Sequence, residues 1–384
     1  MAVSQSTWRV PLSDIAVDDA LSNAGREVLE SGWWSMGPRV AQLESDFSAF
    51  SGAPHSLAVS SGTAALHLAL LAVGCGAGDE VVLPSLNFVA AANTVASTGA
   101  TPVFCDILGP DDLNLDPRDL EAAIGPKTKA VIVLHYGGYP CDLASVLEIA
   151  DRHGVAVIED AAHAIGANWN GRAAGTIGAV GCFSFFANKN LAVGEGGMVV
   201  TSDEQIAERV RLLRSHGMTT LTWQRHTGHA SSYDVVAAGF NYRLDELRSA
   251  LASVQLERLP AANAARLAHV RRYRELLDGV AGVSFPFPKH ALADSSHHLA
   301  VALLPEGVSR EAVRTHLQAE RIQTSVHYPP IHRFTLYSDA RGKRHLRRTD
   351  AIAERILTLP LFPHMRDDDL TLVAETLEQA VRTD

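Results

Sequence analysis

The sequence predicts an α/β protein with a large domain on a mostly parallel sheet between helices, followed by a smaller C-terminal α/β domain. Three observations predict this. Continuous apolar runs alternate with helix-like segments from about residue 56 to about 200, the arrangement of a parallel sheet covered on both faces. The 384 residues are 47% apolar and 20% charged, which supplies a core and rules out a disordered chain. After Gly279 the pattern changes to short strands and short helices.

In chain order, Ser56–Ser60 reads as a strand and Gly62–Val73 as a helix. Glu80–Leu83 is a strand, Phe88–Ser97 a helix ending at Gly99, and Pro102–Asp106 and Ala130–His135 are buried strands around Asp119–Ile124. Leu143–His153 is helical, and Val155–Glu159, Gly181–Phe186 and Met198–Thr201 complete the strands. Residues 203–216 form a charged amphipathic helix, and Met218–Asp234, without a period, is a long loop. Leu244–Leu259 and Ala261–Leu277 are expected to be two helices broken at Pro260. The large domain, with the N-terminal segment, is therefore assigned residues 1–260, and the small one residues 261–384. In the latter, Ser296–Leu303, Arg310–Glu320 and Asp367–Arg382 are its clearest elements.

The formal charge of −10 gives no support to a nucleic-acid partner. No signal peptide and no apolar run of membrane-spanning length is found, so a cytoplasmic location is expected and a membrane role is not. Cys75, Cys105, Cys141 and Cys182 are widely spaced among apolar or small residues, which suits reduced, buried thiols and neither a disulfide framework nor a metal site.

Of the five lysines, Lys127, Lys129, Lys289 and Lys343 have bland polar surroundings. Lys189 follows the apolar Phe183-Ser184-Phe185-Phe186 and precedes Gly194-Glu195-Gly196-Gly197, where desolvation would lower its pKa and make it a nucleophile. Read alone, such a lysine is more often a snorkelling surface residue beside a glycine turn. Ser60-Ser61-Gly62-Thr63-Ala64-Ala65 joins a strand to a helix, a place suited to a phosphate or to a simple helix cap. It is neither a Walker loop nor a dinucleotide fingerprint. Asp160 ends an apolar strand, where ligands of parallel sheets gather, and could pair with a protonated ring nitrogen or cap the next helix. Together an amine, phosphate donors, a carboxylate and the aromatic face of Phe88 are what pyridoxal 5'-phosphate requires.

The chain resembles the DegT/DnrJ/EryC1/StrS sugar aminotransferases, within fold-type I pyridoxal-phosphate enzymes. The resemblance runs from about Gly37-Pro38 to the C-terminal region. It rests on Ser61-Gly62-Thr63-Ala64-Ala65-Leu66, Val157-Ile158-Glu159-Asp160-Ala161-Ala162 and the segment from Phe183 through Lys189-Asn190 to Gly197. Gly239-Phe240-Asn241-Tyr242-Arg243 and Val326-His327-Tyr328-Pro329-Pro330 also match. One departure is His135-Tyr136-Gly137-Gly138, where His-Leu-Tyr-Gly is commoner.

The resemblance implies that Lys189 forms the internal aldimine, Asp160 pairs with the pyridine nitrogen and His163 lies near the ring hydroxyl. Gly62, Thr63, Ala64 and Ser184 would bind the phosphate, Phe88 would stack on the ring, and Asn241 would reach the phosphate across a homodimer. It further implies an amino-acid donor, glutamate, and a nucleotide-linked keto sugar, with a dTDP-4-keto-6-deoxyhexose of secondary-metabolite glycosylation as the preferred acceptor. Arg243, His327 and Tyr328 are the substrate-side candidates; Trp33-Trp34 and the basic run Arg341, Lys343, Arg344, Arg347 and Arg348 are weaker ones. Each has a bland alternative, namely a local ion pair, a core histidine, a packing anchor or a solvated face. Three rivals stand beside this reading, the third a nicotinamide oxidoreductase, which the missing glycine-rich fingerprint disfavours. A sugar dehydratase of the same fold would carry histidine in place of Lys189, and a cofactor-binding regulator without turnover would need a nucleic-acid-reading element that the chain lacks.

Overall fold

The computed structural model describes residues 7–220, 223, 226–228, 231–280, 282–338 and 344–383. Two helices, α1 (Asp19–Ser31) and α2 (Pro38–Ser51), precede β1 (His55–Val59), α3 (Gly62–Ala72), β2 (Glu80–Pro84), α4 (Ala90–Ser97) and β3 (Thr101–Cys105). A ribbon of β4 (Ile107–Gly109) and β5 (Asp112–Leu115) leads to α5 (Pro117–Ala123), β6 (Thr128–Leu134), α6 (Leu143–His153) and β7 (Ala156–Asp160). A second ribbon, β8 (Asn168–Trp169) and β9 (Arg172–Ala173), precedes β10 (Val180–Ser184), β11 (Gly197–Thr201) and α7 (Glu204–Leu213). The long α8 (Glu246–Leu276) then leads to β12 (Ala300–Leu303), α9 (Arg310–Ala319), α10 (Arg347–Ala353), β13 (Ile356–Leu359) and α11 (Asp367–Thr383).

The main sheet has seven strands in the order β1-β11-β10-β7-β6-β2-β3, with β11 antiparallel to both neighbours and the other pairings parallel. Its central strands are buried on both faces, which explains their unbroken apolar runs. One face packs under α3, α4 and α7 through Leu66, Leu70, Val95 and Val210, and the other under α5 and α6 through Leu120, Val146 and Ile149. The carboxyl ends of β1, β2, β7 and β10 consequently open into one crevice, the usual ligand position of such sheets.

The break expected at Pro260 is absent. Residues 246–276 form one helix with Pro260 inside it. Pro260 is exposed, so its ring meets solvent, while Leu256 and Leu259 enter one core and Val270 and Tyr273 another. Burial on both sides outweighs the ~3 kcal/mol that an internal proline costs. The dividing line at residue 260 thus falls within a continuous helix. Val10 also belongs to the core made by α9, α11, β12 and β13, bridging to Ile322, while the Leu12 carbonyl accepts from the Leu361 N–H.

The four cysteines are free and buried. Among the described residues, no helix is long and apolar enough to cross a membrane.

Candidate active site

A cavity of about 350 Å³ opens at the carboxyl ends of the sheet strands. Gly62, Thr63, Phe88, Asp160, His163, Ser184, Lys189, His327 and Tyr328, nine residues singled out in the sequence, line it together.

Lys189 lies in the loop between β10 and β11, its N–H bonded to the Phe186 carbonyl at 2.9 Å. Burial draws its pKa down to about 8, against the opposing attraction of Asp160. Its Nζ donates to His298 Nε2 at 3.2 Å. Asp160 is the last residue of β7, and burial raises its pKa. Oδ1 accepts from the Ala162 N–H at 3.3 Å, while Oδ2 has only the long 3.5 Å contact with Asn87 Nδ2. A buried carboxylate so weakly satisfied suits a cationic partner such as a protonated ring nitrogen.

The phosphate end has a different basis. Ser61 caps α3, its Oγ accepting from the Ala64 N–H at 3.0 Å. The Ala64 donor is thus engaged by the cap, and Gly62 and Thr63 remain as cavity-lining residues of a first turn with no helical carbonyl before them. A Cβ at Gly62 would stand 2.7 Å from Ser184 Cβ, so only glycine lets α3 start this close to β10. A helix N-terminus, a serine and a buried carboxylate on one wall, with an amine on the loop, fit pyridoxal phosphate as a donor set. Phe88, 54% exposed in this cavity, is free to cover a ring and lies 5.8 Å from the Tyr328 ring.

The histidines are held in fixed roles. Gly137 N–H donates to His163 Nδ1 at 3.3 Å, so His163, which burial keeps neutral, carries its hydrogen on Nε2 and donates to Tyr328 Oη at 2.7 Å. Gly137 lies in the His135-Tyr136-Gly137-Gly138 stretch that departs from the commoner form. Its φ of 65° is in the left-handed region, which favours glycine there. His327 is hydrogen-bonded through Nδ1 to Thr358 Oγ1 at 2.9 Å, its carbonyl accepts from Tyr136 Oη, and burial lowers its pKa to about 4.

Other candidates lie elsewhere. Asn241 is exposed and is not among the lining residues of this cavity. Arg243 donates to Ser215 Oγ at 3.2 Å, also outside the lining, its pKa lowered by burial and by nearby Arg214. Trp33 packs edge-on against Trp223 and at a tilt against His226, and Trp34 is exposed. Arg341 and Lys343 lie outside the described residues. Arg344 is paired with Asp119 at 2.5 Å and Arg348 with Asp116 at 2.7 Å, so these two cations are spent on local pairs.

Sequence reasoning missed Asn87, Asn188, Glu195 and His298. The first three line the cavity, and His298 touches Lys189. The polar Ser295-Ser296-His297-His298 run leading into a buried strand was the available signal for His298.

The DegT/DnrJ/EryC1/StrS aminotransferase family profile matches residues 16–378. The chain is 43% identical over 363 residues to the spore coat polysaccharide biosynthesis protein SpsC of Bacillus subtilis (strain 168), covering 93% of both. The structure of S. venezuelae DesV in complex with a ketimine intermediate superposes with a TM-score of 0.89 at 35% identity, covering 98% of this chain and 99% of that one. DesI, solved in the presence of its TDP-sugar product, gives a TM-score of 0.87 at 31% identity, covering 100% and 95%. The chain belongs to the DegT/DnrJ/EryC1/StrS aminotransferase family and is a sugar aminotransferase that works with pyridoxal phosphate.

Proposed function

We propose that this enzyme moves an amino group from glutamate to a nucleotide-linked keto-deoxy sugar, with a dTDP-4-keto-6-deoxyhexose as acceptor. The observation that carries the chemistry is the convergence of Lys189 and Asp160 on one cavity. The similarity to DesI, which was solved with a TDP-sugar product, supports the acceptor. SpsC serves spore coat polysaccharide, so a polysaccharide is a second destination for the aminated sugar beside a secondary metabolite.

Bound pyridoxal phosphate supplies an electron-accepting ring through which an amine is exchanged for a ketone. Lys189 is the residue that carries the cofactor and, once freed, moves a proton as general base and then acid. Its pKa near 8 leaves a useful neutral fraction at physiological pH. Asp160 keeps a proton on the ring nitrogen, an electrostatic contribution that is lost if the nitrogen is neutral. Gly62, Thr63 and Ser184 hold the phosphate, with Ala64 securing the helix start. His163 would stand beside the ring hydroxyl, and Phe88 would cover the ring face. Tyr328 accepts from His163 and so has its own hydroxyl hydrogen free for a sugar oxygen, with His327 next to it. Asn241 and Arg243 serve the cofactor phosphate and the sugar diphosphate of a neighbouring copy in a homodimer.

The test is incubation of the holoenzyme with glutamate and a panel of nucleotide-linked keto sugars, read by mass spectrometry. The expected products are 2-oxoglutarate and an amino sugar, with bleaching of the visible cofactor band when glutamate alone is added. A band indifferent to every amino donor would instead favour a cofactor-binding regulator.

A further inference from the structure

We propose that His298 is a positioning residue for Lys189, accepting a hydrogen bond from Nζ through a ring nitrogen whose protonation is imposed by the Asn190–Asn263 amide chain. The proposal rests on the reading of Lys189 as the cofactor-bearing amine.

The amide chain can be assigned in one sense only, because two backbone carbonyls terminate it and carbonyls only accept. Asn263 Nδ2 donates to the Ile165 carbonyl at 3.0 Å, and Asn190 Nδ2 donates to the Ser296 carbonyl at 2.7 Å. Asn263 therefore turns Oδ1 toward Asn190, whose Nδ2 donates to it at 2.8 Å. Both hydrogens of the Asn190 amide are then used. Its Oδ1 remains, 3.1 Å from His298 Nδ1, and two acceptors cannot bond. Nδ1 must carry the hydrogen. Burial holds the imidazole neutral, so Nε2 is bare and faces Lys189 Nζ at 3.2 Å.

The backbone around His298 is fixed as well. Its N–H donates to the Gly137 carbonyl at 3.0 Å, and Ser296 Oγ donates to the His163 carbonyl at 2.6 Å. His297, at φ 47°, occupies the left-handed region that non-glycine residues rarely adopt, a cost the surrounding bonds must offset. One N–H of Lys189 is thereby pinned, and rotation of the amine about its last carbon bond is restricted. His298 exchanges no proton; it aims the group that does. Lys189 is also faced by Asp160 at the end of β7, by His163 in the turn after it, by His327 and Tyr328, and by Glu195 from its own loop.

The experiment uses cofactor-free protein. Competitive labelling with acetic anhydride across a pH series reads the titration of the Lys189 peptide by mass spectrometry, with the Lys127 peptide as internal reference. The native midpoint is expected near 8. His298→Leu removes an acceptor that favours the charged amine, so the midpoint falls by about 1 pH unit. His298→Gln, whose amide offers an acceptor to Lys189 and a donor to Asn190, brings it back. A native midpoint in folded His298→Leu, or a Gln variant that matches the Leu variant, overturns the proposal. Should His298→Leu not fold, Asn190→Ala carries the same test: without the Oδ1 acceptor the ring hydrogen of His298 is no longer held on Nδ1, the midpoint falls by a smaller amount, and an unmoved midpoint overturns the imposed tautomer. Neither cofactor nor sugar enters the labelling, so its outcome is separate from the fate of the sugar-amination reading.

Discussion

Lys189 sets a functional demand against stability. Its pKa in the fold, about 8, lies below its ordinary 10.5, so between these values the unfolded chain binds the extra proton. The stability of the cofactor-free protein therefore climbs as pH rises through that window, and below it the burial cost is present in full, about 3 kcal/mol. Lys189→Met should stabilise the cofactor-free protein at pH 7 by roughly 3 kcal/mol, a figure that already contains the opposing attraction to Asp160. Thermal melts check this, and the same variant should have no turnover. Asp160→Asn should lower kcat by about 10²–10³ with substrate KM little changed, measured in steady-state assays. Lys189 and Asp160 were legible because each sits inside a dense local motif. Asn87 and His298 were not, because they come from remote segments and act through contacts that no local spacing encodes.

The parallel strands were legible as elements, since burial on both faces writes itself as an unbroken apolar run. Helices α1 and α2 were not. Helix α1 buries only Leu21 and Val28, too few residues to announce a face. Helix α2 depends on a partner far along the chain. Buried Glu246, at the start of α8, accepts from the N–H groups of Gly37, Arg39 and Val40 at 2.9, 2.9 and 3.0 Å, filling the role of a cap that Gly37 cannot provide. Glu246→Ala should therefore destabilise the protein by about 2–4 kcal/mol, and Glu246→Gln by less, as read from denaturant midpoints. The two-helix reading around Pro260 failed for a related reason: local propensity marked a break, and packing on both sides of the proline overrode it.

Over the whole molecule, the fold class and the order of its layers could be read, but the tie between the ends of the chain could not. Val10 and Leu12 join the C-terminal core by a β-bridge to Ile322 and a bond from Leu361, contacts more than 300 residues apart in sequence. The site is proposed to be shared between copies, with exposed Asn241 reaching a neighbour's phosphate. Mixing inactive Lys189→Ala and Asn241→Ala subunits should then restore part of the activity, because half of the sites in a mixed dimer regain both residues. Mixed dimers without activity would count against a shared site. The central claim, that one lysine among five carries the cofactor, is tested most directly by reducing the holoenzyme with borohydride and mapping the pyridoxyl group by mass spectrometry. The account predicts the label on the peptide containing Lys189 and on no other. A label on Lys127, Lys129, Lys289 or Lys343, or on no lysine at all, would contradict it.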